Sequence, residues 1–342
     1  MSRKPDGGST IRPWRLLRGG LHAGPKGQRM PTVSVILPTF NRTRFLRLAI
    51  ESVFVQTYKD WEIVIADDGS TEETRGYLRS IAHPQVRTLW LPHSGNPSRV
   101  RNAAITIAGG RYLAFLDSDD IWEPSKLERQ IDALGARAAC RWSYTNCDLI
   151  DERGGPLIND ILVTPEPPAG WIFEPLLKLQ VGISMPTVVA DRDLVHEIGY
   201  FDEQQRFAEW QDLCLRLAMN SEVVALSESL CSVRIHNEHY SADKVAADLG
   251  WMQLYKKMAY LAPTPALRSY CARVRAESSL NVARWQGDQG DYVEVLRTLS
   301  NSLSFSWRYP HWWWGALKRL ARPAVPSFLL SALRWRSRAA AK

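Results

Sequence analysis

A chain of 342 residues, 45% hydrophobic and 23% charged, has the composition of an ordinary globular protein, and its length suits about two domains of roughly 100–200 residues each. The formal charge of +7 is segregated, with a net +6 in residues 1–30 and a net +9 in residues 295–342, which leaves −8 for residues 31–294. An acidic centre with basic ends argues against a nucleic-acid-binding core and for ends that meet an anionic surface.

Residues 1–30, rich in Gly, Arg and Pro, read as a flexible basic arm. Order is expected from Pro31, where strand and helix patterns alternate. TVSVILPTF, WEIVIADD, VRTLWLP and GRYLAFLD have the apolar runs of strands, and RTRFLRLAIESVFVQ, TEETRGYLRSI and SRVRNAAITIA have helical spacing. Strands separated by helices of this length predict an α/β fold, a mostly parallel sheet with helices on both faces. The proline-rich LVTPEPPAGWIFEP reads as a loop, and after Tyr240 the alternation stops. Residues 245–300 then read as purely helical, with the turn GDQGD predicting a helical hairpin. The expected organisation is an arm over 1–30, an α/β domain over 31–241 and a helical region over 242–342.

Cys140, Cys147, Cys214, Cys231 and Cys271 form no C-x-x-C pair, which fits reduced thiols in a cytosolic setting. MSRKPDGGST is not followed by an apolar core, so no secretory signal is expected. No run reaches the roughly 18 apolar residues of a membrane span.

The stretch YLAFLDSDDIWEP sets Asp117, Asp119 and Asp120 at the mouth of an apolar strand. They are not needed as caps, because Ser125 and Glu128 offer the next helix a capping box. Three crowded carboxylates repel one another unless a cation compensates, and hard oxygen ligands suit Mg²⁺ or Mn²⁺. The same reasoning applies after the second strand, where Ser70 and Glu73 suggest a capping box that leaves Asp67 and Asp68 spare.

SVILPTFNR, VIADDGST, SRVRNAAITIAGGRYLAFLDSDD and a later acidic helix with a downstream His together resemble a family 2 glycosyltransferase of the GT-A fold, over about residues 31–241. The resemblance implies transfer of a sugar from a nucleotide donor with inversion at the anomeric carbon. It implies that Pro38, Thr39 and Asn41 line the base and ribose pocket, although Asn41 by itself suits a helix cap equally well. It gives one acid of Asp67 and Asp68 the role of reading the base, without saying which. Arg101 and Asn102, with Ser118, fall in its donor-binding set. In its D-x-D motif Asp119 ligates the divalent metal, while Asp117 contacts the ribose or a metal-bound water. SVRIHNEHYS fits its R-x-H-x-x-x-x-S pattern through Arg234, His236 and Ser241, with His236 as a further metal ligand or a structural residue.

Inversion needs a carboxylate to take the acceptor's proton. Relatives show E-D-x-x-L-x-L-R, but FAEWQDLCLRLA has Trp210 where that Asp stands. Glu209 and Asp212, three apart on one helix face, both remain candidates, with Asp212 slightly favoured. The expected function is metal-dependent inverting transfer from a nucleotide sugar, UDP-linked, to a glycan or a polyprenyl- or other lipid-linked acceptor in cell-envelope polysaccharide synthesis. The alternative is a degenerate nucleotide-sugar-binding protein. A Rossmann dehydrogenase is excluded by the lack of G-x-G-x-x-G after the first strand, and no nucleic-acid module is present.

Between Ser306 and Lys342 lie five tryptophans and eight basic residues without an acid. Tryptophan favours the headgroup level, and basic residues favour anionic lipid. The segment is expected to lie in the inner face of the membrane, making the protein cytoplasmic and peripheral. The opposing reading packs these tryptophans into the helical region.

Overall fold

The computed structural model describes residues 30–157, 164–236 and 244–321. Along β1 (Val33–Thr39), Val33, Val35 and Leu37 belong to one core layer and Ile36 to the other, as the two-residue period of a strand requires. β1 pairs in parallel with β2 (Trp61–Asp67) and β4 (Tyr112–Phe115), and β2 with β3 (Val86–Trp90). The connections are helices α1 (Thr43–Phe54), α2 (Glu72–Ser80) and α3 (Pro97–Ile107). This half matches the expected parallel sheet.

The sheet continues to eight strands in the order β3-β2-β1-β4-β7-β6-β8-β5, through β5 (Ile121–Trp122), β6 (Cys140–Ile150), β7 (Val189–Asp191) and β8 (Glu222–Arg234). β7 runs antiparallel to both β4 and β6, whereas β6 and β8 are parallel. The parallel β3-β2-β1-β4 set and the parallel β6-β8 pair thus meet across the reversed β7, and β5 closes the far edge antiparallel to β8. α1, α2 and α4 (Lys126–Gly135) cover one face with Leu46, Val53, Leu78 and Leu127. α3 and α7 (Glu209–Asn220) cover the other with Val100, Ala104, Leu213 and Leu217. The short α5 (Phe173–Leu177) and α6 (Arg192–Glu197) complete this part.

The helical region is α8 (Lys244–Leu261), α9 (Pro265–Asp288), α10 (Tyr292–Ser306) and α11 (Pro310–Ala321). Leu254, Tyr255 and Met258 of α8, with Leu267 and Cys271 of α9, join the same core layer as α3 and α7. The sheet and these two helices therefore share one core. The predicted hairpin forms between α9 and α10, where Gly290 at φ +82° ends the first helix. A separate cluster joins Ala276 and Leu280 of α9, Leu299 of α10 and Trp312 of α11.

Neither predicted capping box forms. Ser125 makes no side-chain cap to α4. Gln56 Oε1 instead accepts from Leu127 N at 3.0 Å, and Glu128 accepts from Thr57. At α2 the N-cap is Thr71 without a side-chain bond. Asp67 itself organises that turn, accepting from Ser70 N at 3.2 Å and Arg75 Nε at 2.8 Å, so it is not a spare carboxylate. All five cysteines are free and buried. Among the described residues no helix is long and apolar enough to cross a membrane. The arm through residue 29, Ser241, and the tail from Arg322 with its Pro323 and Pro326 lie outside the described residues.

Candidate active site

A cavity of about 620 Å³ opens at the carboxyl ends of β1, β2 and β4, where open α/β sheets bind ligands. Of the residues singled out from the sequence, it is lined by Pro38, Thr39, Asp68, Arg101, Asp117, Ser118, Asp119 and Glu209. These come from three strand ends, the buried face of α3 and the first residue of α7. The fold thus gathers in space what the sequence spread over some 170 positions.

Arg101 is the hub. Its Nη2 donates to Asp117 Oδ1 at 2.6 Å and its Nη1 to Glu209 Oε1 at 3.0 Å. Burial disfavours the guanidinium charge, but the two carboxylates outweigh it and hold the group more firmly protonated than usual. Burial also pushes the Glu209 carboxyl above its usual range, against the pull of Arg101.

Asp119 faces different partners. Its Oδ2 accepts from Arg42 Nη1 and lies 2.9 Å from His236 Nε2. Asp120 is turned inward, accepting from Arg234 N at 2.8 Å. Burial first, then the negative charge of Asp119 and Asp117, pushes its carboxyl well up. Arg234, 1% exposed, also donates from Nε to Asp119 O and from Nη1 to Asp151 O, fixing the loop that carries the acids.

Among the described residues no group of three His, Cys, Asp or Glu converges as a metal cage. Asp119 beside His236, with Asp117 on the same cavity wall, is the donor set available. That set fits Mg²⁺ or Mn²⁺, which take one or two carboxylates and fill their remaining positions with water and phosphate oxygens.

Four expected site residues do other work. Asn41, at φ +51°, accepts from Thr71 N at 2.7 Å and neither caps α1 nor lines the cavity. Asn102 holds the 201–203 loop through Phe201 and Glu203. Asp67 is fully buried beneath Asp68, and Asp68 reaches the cavity while accepting from Ser94 N and Gly95 N. Asp212, slightly favoured from the sequence as a base, is fully buried off the cavity, 2.6 Å from Arg216 Nη2 and 2.8 Å from Lys257 Nζ.

The cavity also has walls that the sequence did not reveal. His93 stacks on Phe40 with ring centres 4.1 Å apart at one rim. At the other, Leu179, Val181, Ile183 and Met185 face Trp210 and, from α8, Trp251. Their grouping is tertiary, and no local spacing announces it. Ala208 at φ +56° turns the chain just before α7, so that both Glu209 and Trp210 reach the cavity.

The profile of glycosyl transferase family 2 matches residues 34–157. TuaG of Bacillus subtilis, a glycosyltransferase provisionally assigned to teichuronic acid biosynthesis, is 31% identical over 236 residues, covering 68% of this chain and 90% of its own. The chain belongs to glycosyl transferase family 2. The Escherichia coli UDP-Glc:α-D-GlcNAc-diphosphoundecaprenol β-1,3-glucosyltransferase WfgD is 32% identical over 179 residues, 52% of this chain and 68% of WfgD. The glycosyltransferase fold is shared with S. aureus TarS residues 1–349 in complex with UDP-GlcNAc, at a TM-score of 0.63 and 18% identity over 80% of this chain and 81% of that one. The matched family 2 segment carries Asp67, Asp68, Asp117, Asp119 and Asp120, whereas Glu209, Trp210 and α8 lie beyond it.

Proposed function

We propose that this family 2 enzyme is a metal-dependent inverting glycosyltransferase that uses a UDP-sugar to extend a cell-envelope glycan on a lipid-linked acceptor. The observation that carries the reading is the shared cavity that Asp117, Asp119 and Glu209 all line, with Asp117 and Glu209 bridged by Arg101. TarS, solved with UDP-GlcNAc, supports a UDP-linked donor, and the names of WfgD and TuaG support the acceptor class.

Asp119, with Asp117 and His236, would hold Mg²⁺ or Mn²⁺, whose charge would neutralise the leaving diphosphate. Pro38, Thr39, Asp68 and Ser118 receive the nucleoside. Arg101 orients Asp117 and Glu209 and adds positive charge beside the phosphates. Glu209, rather than Asp212, takes the proton of the acceptor hydroxyl as its oxygen bonds to the anomeric carbon and the bond to the diphosphate oxygen breaks. Its raised carboxyl suits it to a base. The basic, tryptophan-bearing helix α11 attaches the enzyme to the anionic inner face of the membrane, near such an acceptor.

The test is UDP binding by thermal shift with and without Mn²⁺. At about 100 times the dissociation constant the shift should correspond to about 2.7 kcal/mol. EDTA and Asp119→Ala should both remove it without loss of fold. Unchanged UDP binding in both would exclude the metal site. Trp210, standing where relatives carry an acid, favours a second reading, nucleotide-sugar binding without turnover. Release of UDP from a bound UDP-sugar separates the two.

A further inference from the structure

We infer that the apolar end of the cavity is an acceptor subsite for an uncharged pyranose, whose C–H face packs on the indoles of Trp210 and Trp251. The inference rests on the transferase reading above and adds the class of the acceptor's terminal sugar. Past Glu209 the lining changes character. The charged residues Arg42, Asp68, His93, Arg101, Asp117, Asp119 and Asp120 all come from the strand-end side. Among the described residues, the wall contributed by the 179–185 loop, the start of α7 and α8 carries no ionisable side chain other than Glu209 itself.

Both indoles are half-buried and thus present part of their surface to the cavity. Their support is rigid. Gln205, fully buried, donates to Phe207 O at 2.6 Å and to Gly250 O at 2.7 Å, tying the turn before α7 to the residue before Trp251. A Cβ on Gly250 would stand 2.4 Å from Phe207 Cβ, so the contact requires glycine. Lys257 Nζ lies 2.8 Å from both Asp202 and Asp212, pinning α8 to α7 one turn further on. Trp251 is backed by Tyr255, ring centres 6.2 Å apart.

An indole offers a large flat apolar face that suits the axial C–H groups of a pyranose, leaving its hydroxyls at the edge. Glu209 adjoins Trp210 and can meet one of those hydroxyls. A uronate on the same unit would be desolvated beside the Glu209 carboxylate, on a wall whose described residues offer no cation, which is costly. The wall therefore selects a neutral unit over an anionic one.

The test measures binding of three octyl probes, each below its micellar concentration, to the full chain with UDP and Mn²⁺ present: octyl β-D-glucopyranoside, octyl β-D-glucuronide and the sugar-free tetraethylene glycol octyl ether. The neutral glycoside should bind at least tenfold more tightly than either of the others. Trp251→Ala and Trp210→Ala should each weaken it at least tenfold, with UDP affinity changed less than twofold as the control for fold, and Trp251→Phe should retain most of the binding. Equal binding of the glucuronide, equal binding of the ether, or tryptophan variants without effect would each overturn the subsite while leaving UDP binding intact. Failure of the wild-type chain to bind UDP would instead overturn the underlying transferase reading.

Discussion

Asp117 and Glu209 accept from the two terminal nitrogens of a single buried guanidinium, Arg101, at 2.6 and 3.0 Å. A carboxylate at a strand end and one at a helix start thereby share one cation, and the two halves of the site are mechanically joined.

Arg101→Leu should therefore cost about 3–5 kcal/mol, because it strands the buried Glu209 carboxylate and leaves the partly exposed Asp117 unpaired beside it. The loss should shrink as pH falls below the carboxylate range, since protonation removes the unpaired charges. Urea unfolding at neutral pH and near pH 4 checks this, and an equal loss at both would mean that the cost lies in packing and not in charge.

The two acids of α7 should behave differently. Glu209→Gln is expected to lower kcat by about 10² or more, with little change in donor affinity. Asp212→Asn should leave chemistry nearly intact and cost about 1–3 kcal/mol in stability, since it weakens the pairing with Arg216 and Lys257. Because the base must be ionised and burial raises the Glu209 carboxyl, the acid limb of wild-type kcat/KM should fall above 4.5, the ordinary glutamate value. Activity is lost as pH drops through that raised value, and the limb should vanish from the residual activity of Glu209→Gln. An Asp212→Asn enzyme as slow as Glu209→Gln would reverse the assignment.

What could be read from the sequence follows the range of the forces involved. β1 to β4 and the α9–α10 hairpin declare themselves because strand and helix periods and the Gly290 turn are local. β6 does not, since Ser143, Thr145 and Asn146 are buried among its apolar residues and interrupt any two-residue pattern. Asp117 and Asp119 were legible as charge that no local cap requires. Asp67 was not separable from Asp68 until the loops that bind each were in view. Asp212 is set apart from Glu209 for a similar reason: three-residue spacing puts the two on one helix face, but α8, remote in sequence, covers Asp212 with Lys257. The caps of α4 and α2 likewise went to neighbours from other elements.

Lys126 gives a prediction about pH. It is fully buried, with Nζ donating to Gln130 Oε1 at 2.6 Å and lying 4.1 Å from the Trp122 ring centre. Burial pushes it down from 10.5 to about 7. Between those values the unfolded chain binds the proton more readily than the native one. Stability should thus fall as pH drops from 10.5 towards 7, with a limiting slope of about 1.4 kcal/mol per pH unit, and level off below. Lys126→Met should flatten that segment of the curve. A Tm profile from pH 7 to 10 unchanged by the substitution would show that another group dominates.

The last prediction concerns α11, where the sequence left the tryptophans between membrane and core. The structure divides them. Trp312 is 1% exposed and its Nε1 donates to Ser279 Oγ at 2.9 Å, so Trp312→Ala should cost about 3–5 kcal/mol as a core deletion. Trp313, Trp314 and Leu317 are 45%, 64% and 56% exposed, and Trp313, Leu317 and Leu320 recur at one-turn spacing along one face. Lys318 lies 5.3 Å from the Trp314 ring centre, setting positive charge beside the aromatic surface. Truncating the chain before α11 would remove Trp312 as well and confuse anchoring with folding. Serine at 313, 314 and 317 together avoids this, since exposed substitutions usually move stability by no more than about 0.5 kcal/mol each. The triple variant should keep its Tm within a few degrees and lose flotation with vesicles containing phosphatidylglycerol, while wild-type flotation should weaken with added salt. If the variant floats as well as wild type, α11 is not the membrane-facing element, and the attachment lies with the basic segments outside it.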